Sequence, residues 1–257
     1  MPDEKSLFQT AGPSWAERAP LAGLRSVLSP TGTTRDNSFL HGVHSFGADH
    51  ALRYFPRGGT MIDFGCGTGR FTRFFALHHR HVVATEVTPE MLERAKSSCN
   101  DVPAEFVLTD GVAIPAASAS LDGIWCCAVL RYSLFVPNPV YAEIAKEMDR
   151  VLRPGAFVVN CEMYVDVPPD VFLAGFEGAG FRTSRIFVLQ RYGGRIERIF
   201  SHRLIPERWI TRSAAVSAFV RSRLDSPTRN IPGLRDYLFV WQKPTRAHLD
   251  LTGERSL

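Results

Sequence analysis

A short apolar run, Thr60–Phe64 (TMIDF), leads directly into Gly65, Gly67 and Gly69, each separated from the next by one residue, and then into a segment with Phe71, Phe74 and Phe75 on one helical face. Glycines packed this closely allow left-handed backbone and remove side-chain cover, so N–H groups at a helix start are left open to an anion or a nucleoside. A strand feeding such a turn is the first unit of an alternating α/β chain. The sequence downstream keeps that alternation: strand HVVATE, helix TPEMLERAKSS with Thr88 as N-cap and Pro89 in its first turn, strand AEFVLTD, strand LDGIWCCAVL, helix NPVYAEIAKEMDRVL opened by Asn138 and Pro139, the stop RPG, and strand AFVVNCE. Five strands separated by crossovers give a parallel, doubly wound sheet with helices on both faces, whose ligands bind at the C-terminal strand edge. The glycines fall at that edge.

On the N-terminal side, DNSFLHGVHSFGADHALRYF predicts a helix with Asp36 as N-cap. On the C-terminal side, DVFLAGFEGAGF predicts a helix closed by Gly180, RTSRIFVLQRY a sixth strand and YLFVWQK a seventh, with RIERIFSHRL and SAAVSAFVRSRL as helices between them. One domain is expected over 1–257: a helical N-terminal cap (1–58), a binding core (59–165), a last helix and strands (166–192 and 237–243), and an insertion or lid (193–236). There are no repeats and no low-complexity tract.

Several cofactor classes use a glycine turn of this kind. A dinucleotide site needs G-x-G-x-x-G, but Arg70 stands at the third position, and a phosphate-binding P-loop needs G-K-[ST], which does not follow. What remains is an acidic-x-G-x-G-x-G pattern, Asp63, Gly65, Gly67 and Gly69. Glu86 closes the second strand about 20 residues on, where a carboxylate can accept ribose hydroxyls, and TDGVAIPAASASLDGIWCCAVLRY follows from Thr109. The series resembles the class I S-adenosylmethionine-dependent methyltransferases of small-molecule type. The glycine loop matches their first motif, Asp110 and the stretch after it match G-D-A-x-x-L-P-F-P-D-x-S-F-D-x-V, and MDRVLRPGAF matches R-x-L-K/R-P-G-G with Ala156 in place of the second glycine. The resemblance covers about residues 60–163. It implies a Rossmann-like seven-stranded sheet, mostly parallel, whose last strand runs antiparallel. It also implies S-adenosylmethionine as cofactor, held by Asp63, Gly65, Cys66, Gly67, Thr68 and Gly69, by Glu86 and Val87, by Asp110, Gly111 and Val112 at the adenine, and by Cys127.

For a reaction at oxygen, a general base within hydrogen-bond reach is a common requirement. Many small-molecule members carry a His pair after the fourth strand, whereas this chain has Arg131 and Tyr132 there. The candidates are therefore Tyr132 and Arg131, with His41 and His44 of the leading helix. The family resemblance implies transfer of a methyl group to a small molecule or glycan-type acceptor. Alternatives are a cofactor-binding regulatory or non-methylating homologue and an RNA methyltransferase.

Residues 182–235 hold twelve arginines, no lysine and three acids, a local charge of +9 within a chain of net +4. They suggest a rim for an anionic acceptor or, with Trp209, Phe219 and Val220, peripheral contact with an anionic membrane. DNA is not expected, because [DNS]-P-P-[YFW] after the fourth strand and any Pro-Cys dipeptide are missing. No window has the roughly 20 apolar residues of a membrane span and the N-terminus lacks a signal pattern, so a cytoplasmic location is expected. Five cysteines without a C-x-x-C pair are expected to be reduced, with no metal site.

Overall fold

The structure, a computed structural model, describes residues 15–78, 81–134, 140–165, 169–225 and 234–245. Its centre is a seven-stranded sheet: β1 (Thr60–Phe64), β2 (His81–Glu86), β3 (Ala104–Leu108), β4 (Leu121–Cys127), β5 (Leu152–Val165), β6 (Arg182–Arg191) and β7 (Arg235–Gln242). The order is β3-β2-β1-β4-β5-β7-β6. β1 pairs in parallel with both β2 and β4, through Ile62↔Val83 and Ile62↔Ile124, and β7 runs antiparallel between β5 and β6. Because the chain leaves β1 toward β2 and later returns to its other side as β4, the two crossovers diverge there and leave a crevice at the C-terminal edge.

One sheet face is covered by α2 (Thr34–Ala51), α3 (Thr72–Ala76) and α9 (Ile210–Leu224), which bury Phe39, Val43, Phe75, Ile210 and Ala214 against Trp125, Val159 and Leu238. The other face is covered by α6 (Tyr141–Val151) and α7 (Asp170–Gly178), with Ile144, Met148, Phe172 and Phe176 over Ile124, Val158 and Trp241. Phe176 stacks on Trp241 at 3.9 Å, and Trp241 on Phe239 at 5.3 Å. Each fully buried side chain of this size stabilises the fold by about 1.5–3 kcal/mol. The strands of this core alternate sides, so Cys126 joins the α6 face while Cys127 turns toward α2.

Three local expectations shift. α2 begins two residues before Asp36: Thr33 is the N-cap and Asp36 its N3 partner in a reciprocal capping box, with Thr33 Oγ1 accepting from the Asp36 N–H at 3.1 Å. β5 starts at Leu152, directly after α6, so Arg153–Gly155 is an irregular first stretch of the strand, with Gly155 at φ +87°. The helix start assigned to Asn138 and Pro139 lies outside the described residues, and α6 is described from Tyr141.

The 193–236 segment contains α8 (Arg195–Phe200) and α9, and α9 packs flat on α2. The two helices approach so closely that a Cβ at Gly42 would meet the Thr211 carbonyl and lie 2.7 Å from Ala214 Cβ. Arg35 on α2 ties down the turn after α8, donating to the Ser201 and Ile205 carbonyls, each at 3.0 Å. Residues 15–33 form a separate strap. It contains α1 (Trp15–Arg18) and a 3-10 turn (Gly23–Ser26), fixed by Arg18 donating to the Leu28 carbonyl and Arg94 of α4 (Pro89–Ser98) donating to the Ala19 and Leu21 carbonyls.

Candidate functional site

The glycine loop is built by backbone geometry and close packing together. Gly65, Gly67 and Gly69 have φ of +72°, +56° and +80°, a region that side chains other than glycine's enter at a cost. A Cβ at Gly65 would lie 2.5 Å from Val129, and one at Gly69 would lie 2.8 Å from Cys99 Sγ. Two of the three glycines are thus required by the protein's own packing, and not only by what binds the loop. Glu86 holds the turn in shape: Oε2 accepts from the Gly67 N–H at 2.8 Å, and Oε1 accepts from Val87 at 2.9 Å and Thr88 at 3.0 Å. Burial pushes its carboxyl up, against those three N–H groups. A carboxylate offers about four acceptor directions, so roughly one remains for a hydroxyl. Asp63, at the end of β1, is buried and accepts from Thr72 Oγ1 at 2.6 Å; burial pushes it up to about 7.

The crevice is a cavity of about 1000 Å³, counting the space at its mouth. Its walls include Asp63, Gly65, Cys66 and Gly67 from the glycine loop, Glu86 and Val87 after β2, Gly111 beyond β3, and Cys127 and Tyr132 after β4. Of the residues expected from sequence, those nine come together. Thr68 and Gly69 do not line it, and Asp110 sits at an exposed position where Oδ1 accepts from Val112 at 2.9 Å and Ala113 at 2.8 Å. Thr109 and Gly111 line the wall there in place of Asp110 and Val112.

The four base candidates separate. Tyr132 faces the cavity with its ring edge-on to Trp15 at 5.9 Å. Arg131 donates to the Met163 carbonyl at 2.7 Å and is not part of the wall. His44 is fully buried behind the wall, and His41 lies half-buried beside Arg70, where burial and the adjacent guanidinium lower it to about 4.

Spacing alone missed a polar cluster at the floor of the cavity. Arg70, the residue that broke the dinucleotide pattern, turns from α3's entrance toward α2. Its guanidinium reaches His41 Nδ1 (3.4 Å), His44 Nδ1 (3.3 Å) and Cys127 Sγ (3.4 Å). Behind His44, Nε2 lies 3.8 Å from Asp236 Oδ2 on β7, and Tyr192 Oη donates to the same carboxylate at 2.9 Å. Cys127 and Cys161 are register partners on β4 and β5, and one donor atom of each falls within 4.8 Å of the other and of His44. Burial lowers His44's proton affinity, but Cys127 and Asp236 more than compensate and raise it to about 9. Burial would raise the Cys127 thiol; the Cys161 S–H, His44 and Arg70 overcome it and hold that thiol well below the ordinary value. These residues come from α2, β4, β5 and β7 and from the turns before α3 and after β6, so no short motif announces them. The strap supplies Trp15 and Val27 to the wall, and Phe71, Met91, Ser133 and Ile144 complete it.

A switch-point crevice with a glycine loop on one side and a carboxylate at the second strand's end has the form that suits a nucleoside. Residues 62–160, from β1 through most of β5, match the family model of the methyltransferase domain. Over that stretch, less than half of its length, the chain is similar to the methyltransferase domain family. Among curated relatives, the 2-methyl-6-phytyl-1,4-hydroquinone methyltransferase of Synechocystis sp. (strain ATCC 27184 / PCC 6803 / Kazusa) is 30% identical over 47% of this chain and 36% of its own length. The malonyl-[acyl-carrier protein] O-methyltransferase of Enterobacter lignolyticus is 27% identical over 43% of this chain and 41% of its own. The matched stretch thus spans well under half of these relatives. Solved structures share the fold: a SAM-dependent methyltransferase from Aquifex aeolicus at TM-score 0.51 and 16% identity, over 76% of this chain and 89% of that one, and the [4+2]-cyclase SpnF at TM-score 0.54 and 17% identity, over 77% and 80%.

The crevice fits S-adenosylmethionine. The open backbone of Gly65 and Gly67 suits the close approach of a charged tail, Glu86 keeps an acceptor direction for a ribose hydroxyl, and Val87, Met91 and Ile144 give apolar wall for a base. Among the described residues, no helix is long and apolar enough to cross a membrane.

Proposed function

We propose that this protein transfers a methyl group from S-adenosylmethionine to a small molecule or glycan-type acceptor, at oxygen. The observation that carries the reading is a single cavity whose walls run from Glu86 and the glycine loop to Cys127, Tyr132 and Ser133, so donor and acceptor sides share one enclosed space. The cofactor supplies an already activated methyl group on a sulfonium. The chain's own work is then to hold the acceptor in line and to exclude water. Trp15 and Val27 of the strap line the crevice, Glu86 and the glycine backbone fix the nucleoside, and Tyr132 lines the wall on the acceptor side.

The arginine-rich insertion does not support the anionic-acceptor reading. None of its described residues lines the cavity, and Arg221 is consumed by Glu197 (2.7 Å) and Asp225 (3.3 Å), while Arg191 pairs with Asp225 (2.5 Å). Arg70 is the one arginine in the described wall.

A second reading, cofactor binding without methyl transfer, draws on one observation: the acids and imidazoles nearest the cavity already hold internal partners, Asp63 with Thr72, Glu86 with the loop, and His41 and His44 with Arg70. Calorimetry with S-adenosylmethionine and S-adenosylhomocysteine tests the shared claim, with micromolar binding expected. Release of S-adenosylhomocysteine in the presence of candidate acceptors separates the two: turnover supports transfer, and tight binding without turnover supports the second reading.

A further inference from the structure

The cavity floor contains a nucleophile that methyl transfer from a sulfonium does not call for. All five cysteines are free thiols; Cys66, Cys99, Cys126 and Cys161 are buried, and only Cys127 is partly exposed, into the cavity. Its Sγ receives the Arg70 guanidinium at 3.4 Å, and that guanidinium also contacts His44 Nδ1 at 3.3 to 3.4 Å. His44 has Asp236 behind it at 3.8 Å, so sulfur, imidazole and carboxylate follow one another across β4, α2 and β7. This is the order of a nucleophile, its proton partner and the group that orients that partner. Arg70 adds a permanent positive charge, which keeps the sulfur's anionic form paired whichever nitrogen of His44 carries a proton.

The geometry points to Cys127 as a nucleophilic thiol at the floor of the cofactor cavity and a site of covalent capture for small, soft carbon electrophiles, whose adduct closes that cavity. In the step, the Cys127 sulfur forms a bond to the electrophilic carbon. With an alkyl halide the carbon–halogen bond breaks and halide leaves; with an α,β-unsaturated carbonyl no group leaves, and the β-carbon adduct takes a proton at its α-carbon from water. The thiol proton has passed to the His44 imidazole or to water, and nothing is oxidised or reduced. Selectivity follows from access and charge. Cys66 also borders the cavity, but it is buried and its thiol is pushed well up by that burial, Cys99 and Cys126 are buried away from the wall, and the neighbouring Cys161 lies one strand deeper at full burial.

The test is peptide-level mass spectrometry of the native full chain treated with limiting iodoacetamide at neutral pH. Cys127 is expected to carboxamidomethylate at least about tenfold faster than any other cysteine and than free glutathione, as an electropositive, accessible site requires. The pH midpoint of its labelling should lie below the ordinary thiol value. S-adenosylhomocysteine should slow it, and labelled protein should lose cofactor binding. Labelling of Cys127 no faster than glutathione, or a zinc ion carried by the purified protein that shields it, would overturn the proposal. Arg70→Gln should raise the pH midpoint while leaving the other cysteines unreactive; an unchanged midpoint counts against the assigned cluster. Fast labelling that S-adenosylhomocysteine does not slow would leave the nucleophile standing while removing the placement of the cofactor beside it, so the two failures are distinguishable.

Discussion

Glu86 shows how much of a residue's surroundings spacing leaves out. Its position at the second strand's end is legible because strand and helix lengths are set by the sheet, but three backbone N–H groups reach it only after the glycine loop and α4 have folded around it. His44 and Cys127 were legible as separate candidates and Arg70 as a break in the glycine pattern, but nothing local joined them to one another or to Asp236, since their proximity depends on how α2 and β7 lie over β4. Two of the buried groups here make one prediction about pH. Asp63 and Glu162 are pushed up by burial to about 7 and about 8, so the folded state keeps their protons where the unfolded chain gives them up. Stability from those groups is full at acid pH and is lost as pH rises through their folded values. His44, raised to about 9, and Cys127, held well down, offset each other: between the ordinary imidazole and thiol values the pair carries one proton folded or unfolded and adds no slope. Below the ordinary imidazole value His41, lowered to about 4, opposes the carboxylates, so calorimetric melting should show Tm falling from about pH 6.5 to about pH 8, and Asp63→Asn with Glu162→Gln should flatten the slope. A Tm that rises over this range contradicts the assignment.

At the level of elements, α/β alternation was legible wherever apolar spacing decided between helix and strand, as in Thr60–Phe64, His81–Glu86 and Arg235–Gln242. It failed where side-chain hydrogen bonds or backbone irregularity set the boundary: Thr33 and Asp36 exchange bonds at the start of α2, and β5 takes over the RPG stretch. The strap was read only as part of a helical cap because Trp15, Val27 and their neighbours have no periodicity; they gain their place by contact with α4 and the glycine loop. The α8–α9 insertion is a packed layer, and Gly42 measures that. Gly42→Ala places a methyl against the Thr211 carbonyl and Ala214, and an overpacked contact of this kind costs about 1–3 kcal/mol. Urea unfolding should show the loss, with cofactor affinity unchanged. A neutral substitution would mean that α9 lies off α2 in solution.

Across the whole molecule, charge and chemistry occupy different parts of the sheet. Within the basic stretch Arg221 and Arg191 are spent on holding the insertion, Arg221 between Glu197 and Asp225, while the cavity opens at the switch point with Arg70 as the arginine of its described wall. Arg221→Ala leaves Glu197 buried without its cation, which typically costs about 3–5 kcal/mol. Thermal melting should register that cost, and calorimetry on the folded variant should give the wild-type affinity for S-adenosylhomocysteine. A parallel loss of affinity would tie the insertion to the cavity. The central claim is that the glycine loop held by Glu86 is the cofactor site, and isothermal calorimetry of the wild-type protein and Glu86→Ala tests it most directly. Wild type should bind S-adenosylmethionine and S-adenosylhomocysteine with micromolar affinity, and Glu86→Ala, confirmed to unfold cooperatively, should bind at least about tenfold more weakly, as expected for a lost charge-assisted hydrogen bond. Absence of binding to either ligand by the wild type, or full affinity in the variant, would contradict it.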